Sequence, residues 1–213
     1  NFEKFNRGIF SLLIVNREEI IQNAIDRKLA VMQRKFVSDP FIIVGPKEDP
    51  AKISGIDGAI LAFKKIAFVK ALFMSRGDGS GNHMREMELW KKSDIPMDKP
   101  VKWHLEAQGD MRLTLEKAAR KKAYVLTDRA NFLSWPGREN FKIYIEDPQE
   151  LENHYFACVA SPTRSVAVSY QAALLFCRFL VSPEAQVIIN RFGVEKFGEP
   201  LFEPLPLTEK RVE

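Results

Sequence analysis

The sequence predicts an α/β protein with mostly parallel strands, and two observations carry that prediction. Short apolar runs alternate along the chain with segments whose apolar residues recur at helical spacing. The runs at 9–15 (Ile-Phe-Ser-Leu-Leu-Ile-Val) and 41–44 (Phe-Ile-Ile-Val) are continuous rather than alternating, which is typical of parallel strands buried on both faces. A length of 213 residues suits one domain or two small lobes.

The individual elements follow from these patterns and from the residues that end them. Gly45-Pro46 stops the second strand, and Pro183 occupies a tolerated first-turn position of the last helix, which Gly193 ends. Prolines 200, 204 and 206 predict an extended tail. We predict strands at 9–15, 41–44, 71–74, 124–126, 141–146 and 155–160, and helices at 17–28, 57–66, 83–92, 111–121, 169–180 and 183–192.

The stretch at 75–83 (Ser-Arg-Gly-Asp-Gly-Ser-Gly-Asn-His) carries the most chemical information in the chain. It follows a predicted strand, and its glycines let the backbone turn tightly and bring N–H groups close to a ligand. Arg76 adds a positively charged, planar guanidinium group suited to oxyanions, and Ser75, Ser80 and Asn82 add polar side chains. The helix that follows would attract an anion to its N-terminus. A flexible loop capped by Ser80 remains the alternative interpretation.

Two further segments precede predicted helices or follow predicted strands, and each has two interpretations. Gln108-Gly109-Asp110 offers either a second helix N-terminus at a cleft or ordinary capping of its helix by Asp110. Thr127-Asp128-Arg129 either lines a cleft or forms a structural turn in which Asp128 accepts from a local N–H.

Several function classes are disfavoured by composition and spacing. The net charge is +4, but lysine and arginine are scattered, so a nucleic-acid groove is not expected. No apolar run reaches the ~18 residues that span a bilayer. The three histidines and the two cysteines lack metal-ligand spacing, and Cys177 is expected to be a buried free thiol. No nucleophile elbow, Walker-type phosphate loop or visible signal segment is present.

Four motifs follow one another along the chain: 41–50 (Phe-Ile-Ile-Val-Gly-Pro-Lys-Glu-Asp-Pro), 75–83 with Glu-Leu-Trp-Lys at 88–91, 108–111 (Gln-Gly-Asp-Met) ahead of Thr114-Leu115, and 123–129 (Ala-Tyr-Val-Leu-Thr-Asp-Arg). In this order they resemble the solute-binding proteins of tungstate ABC transporters. The resemblance extends over about 11–202, and a further motif at 179–184 (Phe-Leu-Val-Ser-Pro-Glu) is shared more widely among periplasmic binding proteins.

The resemblance implies a type II periplasmic-binding fold, in which two α/β lobes enclose a tetrahedral oxyanion in a cleft. It divides the chain into the remainder of the first lobe (1–45), a second lobe carrying the glycine-rich loop (46–145), and a return to the first lobe with C-terminal helices (146–213). Asp78 is expected to point away from the anion and to brace Arg76 or the loop. The implied oxyanion ligands are Ser75, Arg76, Ser80, Gly81, Asn82, Gln108, Gly109 and Thr127.

The resemblance also implies a biochemical role. The protein would be a non-enzymatic, periplasmic or extracytoplasmic module that captures tungstate or molybdate, needs no further cofactor and hands the ion to an ABC transporter permease. Neither a nucleic acid nor a metal site is implied. An enzyme or a ligand sensor with a different small-molecule ligand is the alternative, since one fold hosts several functions.

This chain departs from the family pattern at two places. It has no Thr-Thr-Ser type run of the kind that supplies part of the family's ligand cage, so we expect the first part of the N-terminal lobe to be lacking. Asn82 stands where the family often has threonine. The asparagine keeps a hydrogen-bond donor at this position but changes its geometry.

Overall fold

A computed structural model describes residues 2–147, 149–163 and 169–205. Its strands are β1 (Leu12–Val15), β2 (Ala30–Ser38), β3 (Phe41–Pro46), β4 (Phe73–Ser75), β5 (His104–Glu106), β6 (Val125–Asp128), β7 (Phe141–Ile145), β8 (His154–Ala160) and β9 (Glu203–Pro204). Its helices are α1 (Phe2–Asn6), α2 (Glu18–Asp26), α3 (Ala59–Val69), α4 (Gly81–Lys92), α5 (Met111–Lys121), α6 (Arg129–Ser134), α7 (Tyr170–Phe179), α8 (Pro183–Arg191) and α9 (Val194–Phe197), with a short 3₁₀ turn at Arg138–Asn140.

The chain folds into two compact units. The first unit combines the described residues up to Asp39 with those from His154 onward, and the second is the continuous segment Pro40–Asn153. The lobe boundaries expected from the resemblance, 45/46 and 145/146, stay a prediction. Strand β3 is part of the second unit because it pairs there with β6 and β7.

The first unit is built on an antiparallel sheet with the strand order β1-β8-β2-β9. Alternate residues of β8 face two separate cores, so that Cys158 packs on one side of the sheet and Ala157 and Val159 on the other. Cys177 of α7 is a buried free thiol, as its apolar helical surroundings predict. Burial raises the pKa of both thiols, that of Cys158 to about 12, so neither is a reactive thiolate at neutral pH.

In the second unit, β3 lies between β6 and β7, and β4 pairs with β5. All six residues of β3 are buried, as its continuous apolar run predicts. A bridge between Phe73 and Tyr124 places β4 alongside the chain that enters β6. Helices α3 and α4 contribute Phe63 and Trp90 to a large apolar core.

The expectation of mostly parallel strands requires correction. Among the strand pairs of the described residues, β4 with β5 is parallel and the other pairs are antiparallel. A continuous apolar run indicates that both faces of a strand are buried, but it does not reveal the direction of the neighbouring strand.

The helix predictions agree more closely with the structure, because helix ends carry local signals. Helix α5 has both of its predicted ends, and Asp110 caps it by accepting a hydrogen bond from Leu113 N at 2.8 Å. Pro183 occupies the first turn of α8, as expected. Pro206, the last proline of the predicted extended tail, lies outside the described residues.

Within the described part of the chain, no single helix is long and apolar enough to cross a membrane. One bent pair of helical segments, Tyr170–Phe179 and Pro183–Phe197, is together long and apolar enough by length and composition, with a bend of 62° between the two segments.

Tyr124 links the turn after β3 to the sheet, and its hydroxyl is the basis of a pH-dependent stability prediction. The hydroxyl accepts from Ala51 N at 3.0 Å and donates to Asp49 Oδ1 at 2.6 Å. Burial alone would raise the pKa of Asp49, but hydrogen bonds from Tyr124, Ile53 and Ser54 outweigh it and lower the pKa. The stability that this carboxylate contributes is therefore present at neutral pH and lost as the pH falls through its lowered pKa.

We expect Tyr124→Phe to lower the free energy of unfolding by about 1–3 kcal/mol at neutral pH. The loss should shrink on acidification, because a protonated Asp49 no longer needs the hydroxyl as a donor. Tyr144→Phe is the control, since its hydroxyl donates to the neutral Pro46 carbonyl and burial raises its pKa to about 12. Urea unfolding at a series of pH values from neutral to acidic measures the free energy of unfolding of both variants. A Tyr124→Phe loss that stays constant with pH contradicts the role of Asp49.

Candidate functional site

The glycine-rich loop connects the carboxyl end of β4 to α4, as the sequence predicts. Ser75 ends β4 and is fully buried. Gly77 (φ +67°) and Gly79 (φ +70°) adopt the left-handed conformation that residues with a side chain rarely take. Gly81 begins α4. The loop therefore reverses the chain within a few residues and directs it into the helix.

Hydrogen bonds within the loop hold it in one conformation. Asp78 accepts from Arg76, at 2.6 Å from Nη2 and 3.0 Å from Nε, and from Ser80 N at 3.0 Å. Asp78 thus braces both Arg76 and the loop backbone, as expected. Burial opposes ionisation of Asp78, but the hydrogen bonds from Ser80 and the charge of Arg76 outweigh it and lower its pKa. Gly77 N donates to Ser75 Oγ, and Gly79 N donates to His83 Nδ1 at 2.9 Å.

Two loop glycines should respond differently to the same substitution. A Cβ on Gly77 would lie 3.0–3.2 Å from side-chain carbons of Glu106, whereas one on Gly79 would meet nothing within 4 Å. Both alanines carry the strain of a left-handed backbone, about 1–2 kcal/mol, but only Gly77→Ala adds crowding. We expect Gly77→Ala to be the more destabilising by about 1 kcal/mol in urea unfolding. Equal losses would mean that Glu106 moves aside without cost.

The N-terminus of α4 is the part of the loop best suited to an anion. Ser80 is its N-cap and accepts from His83 N at 3.4 Å, so the predicted capping by Ser80 is confirmed. A helix leaves its first four N–H groups without partners inside the helix. Here Ser80 N and His83 N have side-chain acceptors, whereas those of Gly81 and Asn82 have none among residues 2–147, 149–163 and 169–205. These N–H groups lie at the positive end of the helix dipole.

Gln108 and Gly109 lie on the connection between β5 and α5, next to the loop. Ala107 N donates to Ser75 O at 2.8 Å, and Gln108 N donates to Arg76 O at 3.0 Å. These bonds hold the two connections side by side at the carboxyl ends of β4 and β5. The Gln108 amide donates to Glu106, and Gln108 is exposed. Asp110 caps α5, which confirms the ordinary capping interpretation.

Thr127 and Asp128, at the end of β6, are both buried. The Thr127 hydroxyl donates to the Asp128 carbonyl at 3.1 Å. Asp128 caps α6 by accepting from Asn131 N at 2.9 Å, so the structural-turn interpretation of this segment is confirmed. The same carboxylate accepts from Asn82 Nδ2 at 2.9 Å, and this bond joins β6 to the first turn of α4.

The eight predicted ligands therefore share one region of the second unit, but they differ in what they can offer. Ser75, Arg76, Ser80, Gly81 and Asn82 belong to the loop and the first turn of α4. The N-caps of α5 and α6 are carboxylates, which offset the positive ends of those helices, whereas α4 is capped by a neutral hydroxyl. The cap of α4 is therefore the one of these three that carries no charge, while the carboxylates of Asp78 and Asp128 lie beside the same terminus.

The sequence reasoning missed the tertiary roles of His83 and Asp128 in this region. His83 was expected to be a first-turn residue of α4, which it is, but its ring also accepts from Gly79. No local pattern shows that Asp128 bonds to Asn82, because the two lie 46 residues apart. Across the described ranges, no group of three or more His, Cys, Asp and Glu side chains is arranged to hold a metal ion.

The second unit has an α/β arrangement in which α4 and α5 begin at the carboxyl ends of the parallel strands β4 and β5. Residues 15–184 match the model of the PBP superfamily domain, which covers most of the chain. The chain belongs to the PBP superfamily.

The chain is also similar to individual proteins that are named for anion or tungstate binding. The chain is 31% identical over 212 residues to a Haloferax volcanii protein provisionally named as an ABC transporter anion-binding protein, with 97% of this chain covered. It is 32% identical over 176 residues to the tungstate-binding protein TupA of Peptoclostridium acidaminophilum, with 81% of this chain covered. The chain spans 61% of the length of each of these relatives.

A solved structure shows the same fold. The tungstate-binding protein TupA from Desulfovibrio alaskensis G20 superposes with a TM-score of 0.86 at 28% identity, covering 97% of this chain and 83% of that one.

Proposed function

We propose that this protein is the solute-binding component of an ABC transporter and captures a tetrahedral oxyanion, tungstate or molybdate. It works outside the cytoplasm, in the periplasm or its equivalent, and delivers the ion to the permease. The proposal includes no chemical step, because hydrogen bonds and charge are sufficient to hold such an ion and no cofactor is needed. The names of the relatives in the comparisons support this role.

The observation that carries the proposal is the N-terminus of α4. The N–H groups of Gly81 and Asn82 have no acceptor in the described chain. Asp78 connects Arg76 to Ser80 N, the residue that directly precedes them. An oxyanion placed there would satisfy both N–H groups and interact favourably with the helix dipole.

The side chains of the loop can complete such a cage. The hydroxyl oxygen of Ser75 accepts from Gly77 N, so this hydroxyl still has its own hydrogen to donate to a ligand. The Ser80 hydroxyl accepts from His83 N and also hydrogen-bonds to Asp78, so it would have to leave Asp78 before it could donate to a ligand. Arg76 has N–H groups beyond those that Asp78 engages. A buried dianion requires nearly all of its oxygens to be satisfied, and this combination supplies neutral donors together with one guanidinium.

The other predicted ligands would contribute less directly. Gln108 and Gly109 border the loop, and the bond from Gln108 N to Arg76 O fixes the position of the loop. The hydroxyl of Thr127 would have to give up its bond to the Asp128 carbonyl before it could donate to a ligand.

Isothermal titration calorimetry of the protein with tungstate, molybdate, sulfate and phosphate tests the proposal. We expect tight binding of tungstate or molybdate and little heat from sulfate or phosphate. The absence of heat with any of the four anions would overturn the proposal.

A further inference from the structure

Helix α3 has an exposed face that carries both apolar and charged side chains. Leu61 and Phe68 are 56% and 82% exposed, and they lie seven residues apart, so both project from the same face of the helix. Lys64 and Lys65 lie on that face as well, three and four residues after Leu61. A single exposed apolar residue is ordinary, whereas several that share one face mark an interaction surface.

A groove with a volume of about 860 Å³ adjoins this face, and all of its lining residues belong to the second unit. Four partly exposed apolar residues line the groove and also pack against the core of that unit: Ile56, Ala67, Ile95 and Trp103. Leu61 and Phe68 line the same groove. The surface therefore combines a protruding aromatic side chain with an apolar depression.

The charged residues that line the groove are of both signs. Lys64 Nζ lies 3.4 Å from Asp94 Oδ2. Asp57, just ahead of α3, and Lys65, in its second turn, also line the groove. Among residues 2–147, 149–163 and 169–205, neither Asp57 nor Lys65 has an ion-pair partner. An occupant that complements this surface has to supply a cation to Asp57 and an anion to Lys65.

A second copy of the same surface meets both requirements. In a two-fold dimer the same patch of each copy forms the interface, so a patch that carries a protrusion, a groove and both charges can complement itself. Two α3 helices related by an axis perpendicular to them run antiparallel. With Leu61 at the axis, the residue four positions before Leu61 in one copy faces the residue four positions after it in the other. Each of these lies about 6 Å along the helix from the axis, and they are Asp57 and Lys65.

We propose that two copies of this chain associate through α3 as a two-fold dimer with Leu61 at the axis. Asp57 of each copy pairs with Lys65 of the other, and Phe68 of each copy occupies the other copy's groove near Ile56. One helix face and one groove form a small interface, so the dissociation constant is of the order of ~10–100 µM and dilute samples are monomeric. No groove residue is one of the eight predicted oxyanion ligands, so the inference is independent of the proposed function.

Sedimentation velocity of the full chain at roughly 5–300 µM tests the proposal, and we expect a shift from monomer to dimer over this range. Phe68→Ala and Lys65→Asp should each raise the dissociation constant at least ~10-fold. Lys65→Asp combined with Asp57→Lys exchanges the two charges and should restore dimerisation, because the pair then forms with the opposite polarity. Lys70→Asp is the control: it makes the same charge change at an exposed residue that does not line the groove.

A cysteine at position 61 tests where the axis lies. The two native cysteines are buried, so a thiol introduced by Leu61→Cys is the accessible one. Oxidation of two such thiols by copper phenanthroline, with the loss of both thiol hydrogens, should give a covalent dimer. Val69→Cys is the matched control, since Val69 is 41% exposed on the same helix but does not line the groove. In the proposed dimer the two copies of this residue lie about 24 Å apart along the helices, so no cross-link should form.

Three results would overturn the proposal. The first is a chain that stays monomeric at the highest concentration, and sedimentation with phosphatidylglycerol vesicles would then show whether the face binds a lipid surface instead. The second is a dimer that persists in both Phe68→Ala and Lys65→Asp, because the copies then associate through another surface. The third is a failure of the charge exchange to restore dimerisation, which would exclude the pairing of Asp57 with Lys65. None of these results bears on oxyanion binding, which calorimetry measures separately.

Discussion

Replacing Arg76 with alanine is expected to weaken oxyanion binding at least ~100-fold, because a guanidinium contributes charge-assisted hydrogen bonds of about 1.5–3 kcal/mol each. The change also frees Asp78, whose carboxylate then faces the α4 terminus without its positive partner at 2.6 Å. Loss of attraction and gain of repulsion act in the same direction. The temperature of unfolding should change little, because Asp78 keeps its bond from Ser80 N.

The measurement is calorimetry with tungstate, together with thermal unfolding of the same sample. Arg17→Ala is the matched control, since it removes the same charge from an ion pair with Glu19 in the first unit. Its affinity should equal that of the unmodified protein. Retained affinity in Arg76→Ala would show that the anion does not bind at this loop.

The largest effect on stability is expected from Trp90→Ala. Trp90 is fully buried in the second unit, with ring centroids 4.1 Å from Phe63 and 5.1 Å from Phe73. Its indole N–H donates to Glu86 Oε1 at 3.1 Å, and that carboxylate is itself buried with His104 at 2.8 Å. Truncation leaves a cavity and removes a hydrogen-bond donor from the buried carboxyl group of Glu86. We expect a loss of about 3–5 kcal/mol in the free energy of unfolding.

Urea unfolding followed by far-ultraviolet circular dichroism measures this loss, because the substitution removes one of the fluorescent reporters. Phe68→Ala is the control: it removes a large aromatic side chain of the same unit that is 82% exposed. Its effect should stay within about 0.5 kcal/mol. A loss for Trp90→Ala no greater than that of Phe68→Ala would mean that the core repacks around the missing indole.

The sequence predicts those parts of the fold that have local signals. Helix α5 begins after Asp110 and ends at Lys121 because its cap and its apolar spacing lie within the segment itself. Strand β2 was missed because Gln33, Arg34 and Lys35 interrupt any apolar run or alternation. That strand exists through its pairing with β8, more than a hundred residues away, which no local pattern reveals.

The candidate site likewise has features that local signals predict and features that depend on contacts between distant residues. The loop, the turn conformations of Gly77 and Gly79 and the cap at Ser80 follow from residue types alone. What Asn82 donates to depends on where β6 places Asp128. The residue types therefore predict the loop and its cap, whereas the bond that joins the first turn of α4 to β6 depends on the tertiary fold.

The strand order of the first unit has a consequence for how the protein folds as it is synthesised. Within the described residues, β1 pairs with β8, and β2 pairs with β8 and β9, so the partners of both early strands come after Asn153. The second unit, Pro40–Asn153, is continuous and can form before those partners exist. At about 5–20 residues per second, β1 and β2 wait on the order of ten seconds with unpaired edges. During that interval the nascent chain is most open to intermolecular strand pairing, and a chaperone bound to residues 12–38 would protect it then.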